Sequence, residues 1–239
     1  MASSSITLLR SLEWCKRFVF NRQLSIGDFK EPFLTSANIV YQTILSAPFA
    51  WRWNRQVITF STIQGIQDYV QPCNFGYIEN ASVQDTSASG AGWTEISPKI
   101  DLALNTSQSR PEFISGQLDD GLGNITFRLM PVPDKVYQVS ITVQQKPALL
   151  TSLNQTWAPI PDEFSFIYQV GLLSFMYEFA DDPRSSAKRQ QFVAHLLSAN
   201  DGLTDTERNI FLNNYFSLSL DQMYRANNIN QGLQGKASL

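Results

Sequence analysis

Apolar residues recur at helical spacing in two stretches near the start of the chain. In residues 5–20 they fall at roughly every third or fourth position, with basic side chains elsewhere on the helical wheel. Residues 32–47 show a broader apolar face, which begins at Pro32 and stops before Pro48. Proline suits the first turn of a helix and disrupts its interior. These patterns predict two N-terminal helices.

From Trp51 to about residue 146 the chain consists of short runs rich in β-branched and aromatic residues. Apolar and polar positions alternate most clearly from Tyr137 to Gln144. Turn-forming residues separate the runs at Asp119–Asn124 and Pro131–Asp134. The Ser/Gly stretch 86–92 is expected to pack little and to be mobile. The pattern predicts strands at 56–62, 66–70, 76–84, 93–101, 112–118, 124–129 and 136–145.

Helical character returns after the proline-rich, acidic segment 159–163. Of the residues 164–180, twelve of seventeen are apolar and they surround the whole helix. Such a helix must be covered on every side, by its own core or also by a neighbouring subunit. The run is short for a membrane span and contains Gln169 and Glu178, so a buried helix is the favoured interpretation.

Two more helices are predicted, one from Asp182 to about Ala199 and one after the capping box Thr204–Glu207, reaching as far as Tyr224. The fold class that we expect is therefore α+β: a helical bundle of N- and C-terminal helices with an inserted antiparallel β-rich domain. The expected division is 1–55 for the first helices, 56–158 for the β-rich insertion, 159–225 for the last helices and 226–239 for a flexible tail.

Composition narrows the possible functions. The 239 residues are 43% hydrophobic, 12% aromatic and only 16% charged, with a net charge of -3. This excludes a wholly disordered chain and a strongly basic nucleic-acid binder. Because soluble domains have about 25% charged residues, much of the exterior is expected to contact other protein. The charge is +4 in residues 1–56, -4 in 57–160 and -3 in 161–239.

Residues suited to catalysis are few. His195 is the single histidine, and Cys15 and Cys73 are the only cysteines. They are too scattered for a zinc site. A disulfide is conceivable, but the chain starts without an apolar signal segment, so free thiols in an intracellular product are expected. His195 lies off the apolar stripe of its helix, which favours a solvated surface position. No catalytic residue, cofactor or metal is predicted, and the protein is not expected to be an enzyme.

Adjacent carboxylates occur at Asp119–Asp120, Asp162–Glu163 and Asp181–Asp182, each at a turn or a helix start, where acids are expected for structural reasons. The basic N-terminal helix, with Arg10, Lys16, Arg17 and Arg22, could contact phosphate, but a solvated helix face is favoured.

Five segments, taken in this order, resemble a known family. They are APFAWRWN (47–54), GIQDYV (65–70), FGYIENASV (75–83), FRLMPVPD (127–134) and IPDEF (160–164). The chain is similar, over most of residues 30–200, to the head-to-tail adaptor (connector) proteins of tailed bacteriophages, including the tail tubular protein A type.

The resemblance implies a structural protein of the virion neck, made in the host cytoplasm. Such adaptors form a ring of twelve copies between the portal protein and the tail or nozzle protein. DNA passes through the channel during ejection without sequence-specific binding, and no membrane is involved.

The resemblance also suggests two interaction sites. The C-terminal tail would dock on the portal through Asn227, Asn228, Asn230, Gln231, Gln234 and Lys236. A loop containing Ser87, Ser89, Gly90, Gly92 and Trp93 would face a neighbouring subunit or the tail.

Two alternatives remain at this point. One is another neck or tail-completion protein of the same particle. The other is a carbohydrate-binding β module that would stack sugars on exposed Trp93 and Trp157.

Overall fold

The structure is a computed structural model that describes residues 4–19, 32–87, 92–104, 106–200, 202–213 and 215. The chain divides into two units, Met1–Leu196 and Leu197–Leu239. Every strand found in the described residues lies in the first unit, together with most of the helical residues.

Four helices belong to the predicted helical stretches. They are α1 (Leu8–Cys15), α2 (Phe33–Leu45), α3 (Ser165–Phe179) and α4 (Arg184–Ser198). Single 3-10 turns occur at Arg52–Asn54 and Asp162–Phe164. The first helix is shorter than predicted, because Thr7 caps it by accepting a hydrogen bond from the backbone N–H of Arg10. Residues 4–6 are not helical.

The structure has nine strands in the described residues, and seven of them correspond to the predicted ones. They are β1 (Arg55–Ser61), β2 (Asp68–Pro72), β3 (Phe75–Asp85), β4 (Thr94–Pro98), β5 (Gln108–Ser109), β6 (Phe113–Asp119), β7 (Asn124–Met130), β8 (Val132–Pro133) and β9 (Tyr137–Gln145). The two shortest strands, β5 and β8, were not predicted, since two residues show no periodicity.

Seven strands form one sheet in the order β1-β9-β3-β4-β6-β7-β2. All neighbouring pairs are antiparallel except β4 and β6, which run parallel. The sheet is therefore mostly antiparallel, and the expectation of an antiparallel region is wrong for the pair of β4 and β6. The reason is the segment 99–112 between β4 and β6, which is long enough for the crossover that a parallel pair requires. A parallel pair of β5 and β8 forms a separate, smaller sheet.

The large sheet is rolled around its own core. Phe60 on β1 and Tyr69 on β2 lie on strands at opposite ends of the strand order, yet their ring centroids are 5.0 Å apart. Inward side chains from seven of the strands form the core between the two halves of the sheet. They include Ile58, Tyr69, Ala81, Val83, Ile96, Ile114, Ile125, Phe127, Leu129, Val139, Ile141 and Val143.

The helices of the first unit pack against one another, with α3 in contact with α1 and α2. At Gly171 of α3 an added Cβ would lie 2.9 Å from both Val40 of α2 and Phe192 of α4. Glycine therefore permits a close three-helix contact at this point. Mixed α+β architecture is confirmed, whereas the four-part division of the chain and the bundle with an inserted domain stay predictions.

The second unit contains a helix over 205–213. Its predicted capping box is present: the backbone N–H of Glu207 donates to the Thr204 hydroxyl, and the Glu207 carboxylate accepts from Thr204 N–H at 2.9 Å. These hydrogen bonds to Thr204 lower the pKa of Glu207. Among all described helices, none has the length and hydropathy needed to cross a membrane.

Candidate functional site

The adjacent carboxylates have structural roles, as the sequence predicts. Asp120 accepts hydrogen bonds from the backbone N–H of Leu122 and from Asn124, and so fixes the β6–β7 turn. Asp182 accepts from the backbone N–H of Arg184 at 2.9 Å at the start of α4. Hydrogen bonds from Arg184 lower the pKa of Asp182 to about 2. Both acids are therefore held as anions by local structure.

Asp162 connects the N-terminal segment to the start of α3. Its carboxylate accepts from the Ser4 hydroxyl at 2.7 Å, and from the Ser5 backbone N–H at 3.1 Å and the Ser5 hydroxyl at 2.5 Å. The hydrogen bonds from Ser5 and Ser4 lower the pKa of Asp162. This acid was predicted at a helix start, but its serine partners, more than 150 residues away, were not.

The residues most often used in catalysis do not converge. Within the described part of the chain, no group of three or more His, Cys, Asp or Glu side chains could hold a metal ion. His195 is half-buried, and its ring packs edge-on against Phe166 with the centroids 5.3 Å apart. Cys15 and Cys73 are separately buried free thiols, and desolvation raises their pKa values to about 12 and about 11.

A buried polar network joins the tryptophan-rich turn to the sheet. The side-chain amide of Gln144, which is fully buried, accepts from the backbone N–H of Trp51 and donates to its carbonyl, both at 3.2 Å. The same amide donates to Glu79 at 2.8 Å, and Glu79 forms a two-pronged ion pair with Arg55. The Gln144 side chain on β9 therefore hydrogen-bonds both to the backbone of the turn and to one member of an ion pair.

An aromatic cluster surrounds this network. The rings of Trp51 and Trp53 stack with centroids 5.1 Å apart, and Phe164 packs on Trp51 at 5.6 Å. The Tyr77 hydroxyl donates to the Phe49 carbonyl at 2.6 Å. The tryptophan-rich turn, one of the segments of the family resemblance, thus contacts β3, β9 and Phe164 just before α3.

Most of α3 is covered by its own chain. Tyr168 stacks on the fully buried Trp157 with ring centroids 4.3 Å apart, and Trp157 donates to the Ser11 hydroxyl at 2.9 Å. The interpretation of Trp157 as an exposed sugar-stacking residue is therefore wrong, because α1 and α3 enclose it. Phe166 and Phe179 remain largely exposed at the two ends of α3, and sharing of this helix with a neighbour stays a prediction.

The predicted loop site is partly described. Ser87 donates to Asp85, and Lys135 contacts both residues, which together lower the pKa of Asp85 to about 2. These contacts hold Ser87 at the start of the loop. Gly92 and Trp93 are exposed, with Trp93 at 48%. Ser89 and Gly90 lie outside the described residues.

The predicted portal-docking tail also lies outside the described residues. This holds for each of its six named residues, Asn227, Asn228, Asn230, Gln231, Gln234 and Lys236.

Two exposed apolar surfaces were not anticipated from the sequence. On the sheet, Val70 and Leu118 are each 65% exposed, and Leu122 projects from the adjacent turn at 88%. On the N-terminal segment, Leu9 and Phe18 are exposed. The strand pattern of β2 contains a hint of this, since Val70 follows the buried Tyr69 and takes the outward position, where a polar residue is usual.

An open cleft of about 280 Å³ lies between β3 and β6. It lies beyond the end of β4, where Phe75 packs against Gly116, and Lys99 is the only charged residue in its lining. Such a lining lacks the convergent titratable groups that an active site requires.

Comparison with known proteins identifies a family. The family model described as SU10 adaptor protein matches residues 35–213, which are 179 of the 239 residues. No curated protein matches the chain. The matched range includes most of α2, the tryptophan-rich turn, the nine strands described above, α3 and α4. The chain therefore belongs to the SU10 adaptor protein family, a family of structural phage adaptors and not a class of enzymes.

Proposed function

We propose that this protein is a head-to-tail adaptor of the tail tubular protein A type, which forms a ring of twelve copies in the virion neck. The ring binds the portal protein on one side and the tail or nozzle protein on the other, and it continues the channel through which DNA is ejected. The observation that carries this proposal is the family match over three quarters of the chain.

The surface chemistry supports assembly into a ring. A closed ring of identical subunits needs two different faces on each copy, one for each neighbour. The first unit offers exposed apolar side chains on the sheet and on the N-terminal segment, which are separate elements of the chain. Only 16% of the residues are charged, which suits a protein whose surface is largely covered by other subunits.

The proposal assigns roles to the remaining parts of the chain. Residues 1–55 and 159–225 form the helical bundle of the ring, and 56–158 form the inserted domain that faces neighbours or the tail. Residues 226–239 dock on the portal, and the loop with Ser87, Gly92 and Trp93 faces a neighbour or the tail. A net charge of -3 reduces adhesion of DNA to the channel, since like charges repel.

Another neck or tail-completion protein is the second candidate, because it would share the ring and differ only in its partners. The carbohydrate-binding module loses support, since Trp157 is buried in the helical core.

Co-sedimentation with a purified portal ring tests the proposal. We expect the full-length chain to sediment with the portal in a stoichiometry of one adaptor per portal subunit. A truncation that ends at Tyr224 should bind more weakly; equal binding by both chains would remove the tail-docking part. Failure of the full-length chain to bind any portal, together with its absence from the neck in cryo-microscopy of the particle, would contradict the function.

A further inference from the structure

The large sheet leaves one edge of β1 free. This strand lies at one end of the strand order, and in the described part of the chain it pairs with β9 alone. In an antiparallel pair, every second residue bonds to the partner strand, and the residues between them point their N–H and C=O groups away from it. Directly after β1, the Thr62 N–H donates to the Tyr137 carbonyl at 2.8 Å. Phe60 and Ile58, which precede Thr62 at alternate positions, are therefore the residues that bond to β9.

The main-chain groups of Val57, Thr59 and Ser61 consequently point to the free edge. Within the described residues, these groups have no hydrogen-bond partner on that side. All three residues are exposed, Val57 at 64%. At about 3.4 Å per residue, groups at alternate positions repeat every ~6.8 Å along the edge. The edge is thus a row of unpaired donors and acceptors with the repeat of an extended chain.

The sequence of β1 lacks the features that usually protect such an edge, namely proline, lysine, a β-bulge or a very short strand. Its seven residues include no Pro or Lys, its register with β9 is continuous, and its one charged residue, Arg55, is paired with Glu79. The strand at the opposite edge, β2, is shorter and ends at Pro72. The Cys73 N–H bonds to the Gly123 carbonyl on the β7 side, so Pro72 has its missing N–H on the free side. The sheet therefore blocks one edge and leaves the other open.

The partner that matches the open edge is an extended polypeptide, because only a main chain presents N–H and C=O groups at the same repeat. The side chains beside the row are uncharged, and Arg55 already has its counter-charge, so the matching segment is uncharged as well. A second copy offers no such strand in its described residues. Its β2 edge is blocked, and pairing of β1 with another β1 is isologous, which gives a closed dimer and not a ring.

We propose that an extended, uncharged segment of the tail or nozzle protein, called the tail protein below, adds to β1 as a further strand of the sheet. This inference rests on the proposed function, which places residues 56–158 toward neighbours or the tail, and it names the chemistry of that contact. Main-chain hydrogen bonds to Val57 and Thr59 hold the added strand, and the exposed Val57 side chain packs beside it.

Residue-resolved hydrogen exchange tests the pairing directly. The full-length chain is measured alone and bound to the purified tail protein of the same particle. In the free chain, the amides of Ile58 and Phe60 should exchange slowly and those of Val57 and Thr59 rapidly, because only the first two are bonded. In the complex, exchange at Val57 and Thr59 should slow at least about tenfold. Unchanged exchange at these two amides in the complex overturns the inference.

Three substitutions at Thr59 separate main-chain pairing from a side-chain contact. Thr59→Pro removes an N–H of the free edge and leaves the bonds of Ile58 and Phe60 to β9 in place. Thr59→Lys keeps the N–H and places a charge on the edge. Each should raise the dissociation constant for the tail protein at least about tenfold in sedimentation velocity. Thr59→Ala alters the same side chain and keeps the N–H, so this matched control should bind like the wild type.

The inference is overturned if Thr59→Ala weakens binding as much as the other two variants, or if neither of those weakens it. Urea unfolding checks that Thr59→Pro is folded; if it is not, the comparison of Thr59→Lys with Thr59→Ala decides. Protection of the Val57 and Thr59 amides in a concentrated solution of the chain alone would also overturn the inference, because the strand would then come from a second copy.

Co-sedimentation with the portal separates failure of this inference from failure of the function. A chain that binds both the portal and the tail protein, but without protection at β1, overturns the inference and leaves the function standing. A chain that binds the portal and not the tail protein overturns the inference and the tail-binding part of the function. A chain that binds neither contradicts both.

Discussion

The hydrogen bonds of Gln144 provide the sharpest test of how the tryptophan-rich turn is held. The variant Gln144→Leu preserves the approximate volume of the side chain and removes its amide. The Trp51 carbonyl keeps a hydrogen bond from the Asn54 N–H, and Glu79 keeps its pair with Arg55. The Trp51 N–H, however, loses the amide oxygen that it contacts at 3.2 Å in a buried position.

The magnitude follows from these contacts. One buried unsatisfied N–H costs about 1–3 kcal/mol, and each of the other two lost hydrogen bonds costs about 0.5–1.5 kcal/mol net. The apolar surface that leucine buries offsets part of this sum. We expect the free energy of unfolding to fall by roughly 2–3 kcal/mol, which corresponds to a decrease in Tm of roughly 5–10 °C for a chain of this size.

Urea unfolding followed by tryptophan fluorescence measures the effect. The control is Gln138→Leu, on the same face of β9 but only half-buried, which should change the free energy of unfolding by less than about 0.5 kcal/mol. If Gln144→Leu changed stability no more than this control, the network would not hold the turn and the reasoning would be refuted.

Three further predictions concern the buried core, the thiols and one carboxylate. Trp157→Ala should lower the free energy of unfolding by about 3–5 kcal/mol in a denaturant titration, because Trp157 is fully enclosed. Cys15 and Cys73 should react with a thiol reagent at pH 8 only after unfolding, since burial raises both pKa values; rapid reaction of the native chain would contradict this. Asp162→Ala should lower the free energy of unfolding at pH values above 3.8, the ordinary pKa of an aspartate. Because folding lowers the pKa of Asp162, the difference in free energy between variant and wild type should shrink as the pH falls below 3.8. A difference that does not change with pH would argue against the serine contacts.

The spacing of apolar residues predicted helices and strands well wherever that spacing alone decides which side chains are buried. The alternation from Tyr137 to Gln144 predicted β9, and the apolar run 164–180 predicted α3, because each period places apolar side chains on the buried side. The capping box was also predictable from the sequence, since its partners Thr204 and Glu207 are three residues apart.

Features that depend on distant segments could not be predicted in the same way. The parallel pairing of β4 with β6, the burial of Trp157 and the serine contacts of Asp162 each join parts of the chain that show no local sign of one another. The two exposed apolar surfaces, on the sheet and on the N-terminal segment, were not predicted for a related reason. Sequence identifies Val70 and Leu118 as apolar, but only the register shows that both flank Thr126 on an outward surface.

The contacts of the first two helices have a consequence for synthesis of the protein. Asn38 of α2 hydrogen-bonds Leu150, 112 residues later, and Ser11 of α1 meets Trp157, 146 residues later. At 5–20 residues per second, the ribosome needs on the order of ten seconds to produce these partners. During that interval the apolar side of α2 has none of its α3 contacts. The sheet, whose strands pair within residues 55–145, is completely translated before α3, and chaperone binding to the emerging chain should therefore concentrate on its first 45 residues.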